Sequence, residues 1–229
     1  MSRFISMPLA FWLAMAANLA PVAAASAERM EYDITWVGIS VGTMTIESGT
    51  DAAGNLLRSV RIRNRPWLAL VYPVDTTIES TVERTPDGPR YTVVKKVSER
   101  RFVQNDVLVV RPDAGKAVWS NAVSNVVHSF DVPRGSKDLV TLFFDLREAA
   151  GAGRLEAGGE FQLVMDNALH AFEIQVSPMK SIRTPYGRMH AVPVKAVSKS
   201  AELFSRNTPR SIWVVGSPPV VLFADVETR

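Results

Sequence analysis

Three histidines, His128, His170 and His190, are the first residues to weigh for metal or acid–base chemistry, and no two of them lie within three residues of each other. The chain has no cysteine. Structural and catalytic zinc sites usually take paired His or Cys ligands a few residues apart, so neither a metal nor a cofactor is expected. His170 alternates in phase with Phe172, Ile174 and Val176, which predicts a core or rim histidine. Ser177-Pro178-Met179-Lys180 has the S-x-x-K spacing of penicillin-recognising enzymes. Those enzymes place the serine at a helix N-terminus and add S-D-N and K-T-G motifs; here the serine follows a strand pattern and both partner motifs are missing. Neither G-x-S-x-G nor a glycine-rich phosphate loop occurs. Glu79 and Glu83 could be invoked as a carboxylate pair, but general acid–base work needs a geometry that nothing here singles out. No catalytic residue is expected.

Binding chemistry is better represented. Arg58, Arg61, Arg63 and Arg65 form one basic cluster, and Lys95, Lys96, Arg100 and Arg101 a second. In strand phase Arg61 and Arg63 share one face, with Val60 and Ile62 on the other, as on a solvated outer sheet face. The sharper reading is a rim for phosphates of phospholipid or lipopolysaccharide, which guanidinium forks suit. Trp67, just after Arg65-Pro66, would add an amphipathic contact there. Trp36 and Trp213 fall in strand patterns and are expected in the core, or lining a cavity if the sheet closes around one.

The elements that must position these groups are mostly strands. Met30, Tyr32, Ile34 and Trp36 alternate with Glu31, Asp33 and Thr35, the period of a half-buried strand. Gly38 and Gly42 flank a phase change, as at a tight turn or bulge. Pro86-Asp87-Gly88-Pro89 and Pro112-Asp113-Ala114-Gly115 are turns. Short alternating runs continue to about Val226. The fold class expected is mainly β: a curved antiparallel sheet or open β-barrel with one inserted helix at about 137–150. In that helix Leu139, Leu142, Phe143 and Leu146 fall at the helical period, Ser136 is the expected N-cap, and Gly151 and Gly153 can end it. The natural place for it is across the concave face, as a plug or lid, with Leu142, Phe143 and Leu146 facing a cavity.

Residues 1–27 read as a signal peptide. Arg3 is followed by an apolar stretch from Phe11 to about Ala24 and an Ala25-Ser26-Ala27 exit, so cleavage is expected after Ala27. Residues 28–229 remain as one β-barrel-like domain, about 200 residues, ample for a buried core. The formal net charge of +3 falls by one unit when Arg3 is lost, which implies no nucleic-acid partner. No later apolar run approaches the ~20 residues of a transmembrane helix, so no membrane anchor is expected. Without cysteine there is neither a disulfide nor a lipobox to acylate. The expected address is the periplasm of a Gram-negative envelope.

Several of these stretches carry a family resemblance. Tyr32-Asp33-Ile34-Thr35-Trp36-Val37-Gly38-Ile39-Ser40-Val41-Gly42 is similar to the opening strand and glycine pair of a bacterial exported family known as domain of unknown function 3108. Val74-Asp75-Thr76 with Ile78-Glu79-Ser80, the Lys137–Arg147 helix, Thr184-Pro185-Tyr186-Gly187 and Ser211-Ile212-Trp213-Val214 extend the likeness over most of residues 30–226. The chain departs from the family at Gly216-Ser217-Pro218-Pro219, where an acidic and a basic residue are usual. The resemblance implies an architecture similar to periplasmic carriers of lipid and lipoprotein, and transfers no catalytic residues.

Together these readings predict a non-enzymatic periplasmic protein that supports the envelope. It would hold an apolar or amphipathic ligand, lipid or lipoprotein-like, or a partner peptide, in a curved β-cavity. The alternatives are a hydrolase of cell-wall or envelope material, and a scaffold binding an envelope protein along a strand edge.

Overall fold

Period-2 alternation dominates the chain after Glu28, and the structure, a computed structural model, answers it with strands. It describes residues 28–155, 159–184, 187–198, 207–216 and 220–228. The expected leader at 1–27, the Pro185-Tyr186 pair and the Ser217-Pro218-Pro219 corner lie outside them.

The first eight strands form one antiparallel meander in chain order. They are β1 (Glu28–Trp36), β2 (Ile39–Thr50), β3 (Leu56–Asn64), β4 (Val74–Thr85), β5 (Gly88–Glu99), β6 (Phe102–Arg111), β7 (Lys116–Asn121) and β8 (Val126–Asp131). A four-residue helix, α1 (Pro66–Ala69), interrupts the β3–β4 connection, where sequence periodicity gave no signal for one. The expected phase change near Gly38 and Gly42 is a bulge: Ile34 pairs with Gly42 and Thr35 with Ser40, leaving Val41 as the extra residue. A Cβ on Gly42 would sit 2.7 Å from the Arg63 carbonyl oxygen, so β2 and β3 approach there only because the residue is glycine.

A second sheet is built from β9 (Lys137–Asp138), β10 (Gly159–Met165), β11 (Ala168–Val176), β13 (Gly187–Ser198), β14 (Asn207–Val215) and β15 (Val220–Thr228). β12 (Lys180–Thr184) pairs with β13 off the main path. Only β9 runs parallel to its neighbour, β10, among the described pairs.

The inserted helix, α2 (Leu139–Gly151), begins later than the sequence implies. Lys137 and Asp138 are held extended by pairing with Leu163 and Val164. The N-cap is therefore Asp138 and not Ser136: one Asp138 carboxylate oxygen accepts from the backbone N–H of Val140 (2.9 Å) and of Thr141 (3.0 Å). The Ser136 hydroxyl is engaged elsewhere, donating to the Pro133 carbonyl.

α2 is buried on two sides. Val140 and Phe144 pack with Met30 and Ile46, and with Val60 and Ile78, so the first sheet curls around this face. Leu142 and Ala150 pack into the second sheet against Leu163, Phe172, Ile174 and Val194. A third cluster, Val93, Leu108, Val110 and Ala117 with Val164, joins the two sheets directly. The fold is mainly β and curved, with the helix inside the curve.

Candidate functional site

The stripe of adjacent Leu142 and Phe143 with Leu146 one turn on in α2 faces the second sheet and forms one wall of a cavity of about 220 Å³. Alternate residues of the sheet form the other walls: Leu163 on β10, Phe172 and Ile174 on β11, Val194 on β13, Ile212 and Val214 on β14. The period-2 rule puts each of them on the inner face. Leu139, 42% exposed, lines the cavity where it reaches solvent. Phe172 is fixed by a stack on Phe161 with ring centroids 5.8 Å apart, and Phe143 by an edge-on contact with Phe144 at 5.6 Å.

Arg147 is the one charged residue among the described residues lining this cavity, and it is 6% exposed. Its guanidinium donates to Glu28 at 2.7 Å and to the Met30 sulfur at 3.0 Å, and lies 5.0 Å from the Phe144 ring centroid. Arg58 of β3 approaches the same ring at 4.7 Å and pairs with Asp145 at 3.8 Å. Two buried cations on one phenyl ring exploit its negative face in a water-poor setting. The Tyr32 phenol nearby is held above its ordinary pKa by burial, with Arg147 pulling it down and Glu28 pushing it up.

Three of the expected ligand-facing residues, Leu142, Phe143 and Leu146, are thus brought together. The other five lie elsewhere. Trp213 points away from the cavity because its neighbours Ile212 and Val214 point into it; its indole N–H donates to Ser211. Trp36 is not a core residue: it is 64% exposed at the end of β1, beside the turn, where the strand runs past the packed interior. Arg61 and Arg63 stand on the outer face of β3 and both pair with Asp75, at 3.0 and 3.2 Å. Trp67 sits exposed on α1, and Arg65 beside it binds Asp33. The rim residues and the cavity residues are two separate places.

Sequence reasoning grouped Arg58 with the outer arginines, although it shares its phase with the inward Val60 and Ile62. Arg147 was likewise readable, three residues after Phe144 on the helix. A smaller pocket of about 50 Å³, mostly apolar with a few charged groups at its wall, has no local sequence signal. There Lys95 pairs with Asp166 at 2.8 Å, and the buried Asp106 carboxylate accepts from Gln104, Asn121 and the Trp119 indole. His170 is buried, in line with its phase, and His128 stacks on Phe130.

A family model described as "Protein of unknown function (DUF3108)" matches residues 31–227. No curated protein matches the chain. Among solved structures the chain is similar to the crystal structure of a beta-barrel-like protein of domain of unknown function DUF1849 from Brucella abortus. The TM-score is 0.57 at 13% sequence identity, over 90% of this chain and 92% of that one. At that identity the likeness speaks for a barrel-like fold alone.

Proposed function

This chain belongs to the DUF3108 family of proteins of unknown function, and on that footing we propose that it is a non-enzymatic periplasmic protein that shelters the apolar part of a lipid or lipoprotein-like ligand between α2 and the second sheet. The observation that carries the reading is the cavity of about 220 Å³, walled by leucine, phenylalanine, isoleucine and valine side chains with Arg147 at its edge. Cavities of about 150 Å³ with such walls already admit benzene-sized molecules. The volume suits part of an acyl chain or a ring, with the polar remainder outside past Leu139. Such walls offer dispersion contacts and one cation, which suits holding a ligand better than transforming it.

The test is uptake of the apolar fluorophore N-phenyl-1-naphthylamine by the purified protein, joined to mass spectrometry of lipids that co-purify with it from periplasmic extract. Saturable, blue-shifted fluorescence displaced by fatty acids is the expected result. Absence of both fluorophore uptake and co-purifying lipid would sink the proposal.

A further inference from the structure

In a meander every second connection lies at the same end of the sheet, and here the two ends have opposite chemistry. One end gathers the Val37-Gly38 turn, the 65–73 connection with α1, the Arg100-Arg101 turn and the 122–125 turn. Most of the large exposed apolar side chains of the described residues stand there, among them Trp36, Val37, Trp67, Leu70, Val71 and Phe102. Leu70 is 89% exposed. The other end carries Asp51-Ala52-Ala53-Gly54-Asn55, Pro86-Asp87-Gly88 and Pro112-Asp113-Ala114-Gly115, turns of acidic and small residues.

The apolar connections form one continuous rim. The backbone N–H of Arg65 donates to the Val41 carbonyl at 2.8 Å, that of Arg100 to the Pro73 carbonyl at 3.1 Å, and the Arg100 guanidinium lies over the Tyr72 ring at 5.3 Å. Arg61, Arg63 and Arg65 edge this rim on one side, where Asp75 and Asp33 pair with them, and Lys96, Arg100 and Arg101 edge it on the other. The first turn adds a backbone signature. Val37 (φ 48°) and Gly38 (φ 78°) both take the left-handed conformation of a type I′ hairpin, where Asn-Gly is preferred and a β-branched residue is strained. An apolar side chain is kept at that tip against its own backbone preference, as happens at binding surfaces.

We propose that this rim docks the protein on an anionic phospholipid surface, its apolar tips entering the interfacial layer and its arginines meeting the phosphates. Exposed apolar side chains gathered at one end of a fold, rimmed by basic residues, mark an interaction surface. Tryptophan and tyrosine with flanking basic residues are the composition that settles at the membrane–water boundary. This surface is distinct from the cavity, and its assignment does not depend on what the cavity holds.

Co-sedimentation with vesicles of phosphatidylethanolamine and phosphatidylglycerol, compared with pure phosphatidylcholine, tests it. The protein is purified from cells expressing the full chain, with its N-terminus read by mass spectrometry. Binding to the anionic vesicles that weakens with salt is expected, falling at least tenfold in Leu70→Asp. Arg101→Glu should weaken binding to anionic vesicles alone. Phe102→Ser is the second rim variant, and unchanged circular dichroism of each variant shows that its fold is intact. Absent vesicle binding, or equal binding by wild type and variants, overturns the proposal. So does a vesicle-independent oligomer that Leu70→Asp dissolves, which would make the rim a protein interface.

Discussion

Arg147 of α2 donates a 2.7 Å hydrogen bond to the carboxylate of Glu28, the first residue of β1 and 119 positions earlier in the chain. The pair fastens the helix to the far edge of the first sheet, and its two members are unequally buried: 6% exposed for the arginine, 38% for the glutamate.

That asymmetry predicts unequal costs. Glu28→Ala leaves a buried guanidinium facing the Met30 sulfur, the Phe144 ring and the Tyr32 phenol, with no anion beside it, and should cost about 3 kcal/mol. Arg147→Met keeps most of the stem packing and leaves a carboxylate that water can reach, so about 1 kcal/mol is expected. Urea unfolding of both variants and of the double variant checks the order. A larger loss in Arg147→Met would show that the cation–π contact with Phe144 outweighs the ion pair.

The cap of α2 should also be sensitive. Asp138 is buried and accepts from Val140, Thr141 and the Ser80 hydroxyl, the last at 3.1 Å. Asp138→Ala removes the cap and the better of the two partners of the Ser80 hydroxyl, which keeps only the Thr141 hydroxyl at 3.4 Å, for a loss of about 2 kcal/mol. Asp138→Asn retains an acceptor and should cost about 1 kcal/mol, whereas Ser136→Ala, one hydrogen bond to a loop carbonyl, should cost less than Asp138→Ala. Chemical denaturation midpoints separate the three.

How legible all this was in the sequence depends on range. Alternation in Met30, Tyr32 and Ile34, and the turn chemistry at Asp87-Gly88, are local, and the strands formed where they pointed. The helix was readable for the same reason, and Leu142, Phe143 and Leu146 do share a wall. The cap moved from Ser136 to Asp138 because β10, more than twenty residues downstream, pairs with Lys137 and Asp138; no local pattern records that. Trp36 has the phase of a core residue, but phase says which face it takes, not whether the core extends that far. Trp213 failed differently: the cavity side of β14 belongs to Ile212 and Val214, and choosing between two apolar-looking faces needed the helix position. Arg58 shows the reverse error, since its phase pointed inward and its charge argued for the surface.

Filling the cavity tests its role. Ala196 lines it and is half-buried, so Ala196→Leu should occupy part of the 220 Å³ and raise stability by about 1 kcal/mol, or roughly 3 °C in Tm. The same change should cut uptake of N-phenyl-1-naphthylamine at least tenfold. Calorimetry and fluorescence titration read the two effects. Gained stability with unchanged uptake would place the fluorophore elsewhere.

Alkaline pH should weaken the fold through two phenols. Burial is the main cause that raises the Tyr32 and Tyr91 pKa values; around Tyr91 the carboxylates of Asp145, Asp138 and Asp113 add to it and Arg58 opposes it. The native state therefore keeps these protons at a pH where the unfolded chain has released them. The stabilisation is complete below the ordinary phenol value of about 10 and is lost as pH rises through the higher folded values. Urea midpoints taken from about pH 8 to about pH 11 should fall over that range. Tyr32→Phe, which has no proton to lose there, should flatten the decline, and an unchanged slope would exclude Tyr32 as a contributor.

The Val37-Gly38 turn couples stability to the rim in opposite directions. Both residues need positive φ, and valine is among the residues least suited to it, with a cost of about 1–2 kcal/mol. Asparagine reaches the left-handed region readily and is favoured before glycine in this hairpin. Val37→Asn should therefore stabilise the protein by about 1 kcal/mol. It also removes an apolar tip from the rim, so binding to anionic vesicles should weaken although the fold is firmer. Denaturation and co-sedimentation of the same preparation give both readings. Higher stability with undiminished vesicle binding would take Val37 out of the docking surface, and lower stability would mean that the valine contributes packing which outweighs its backbone strain.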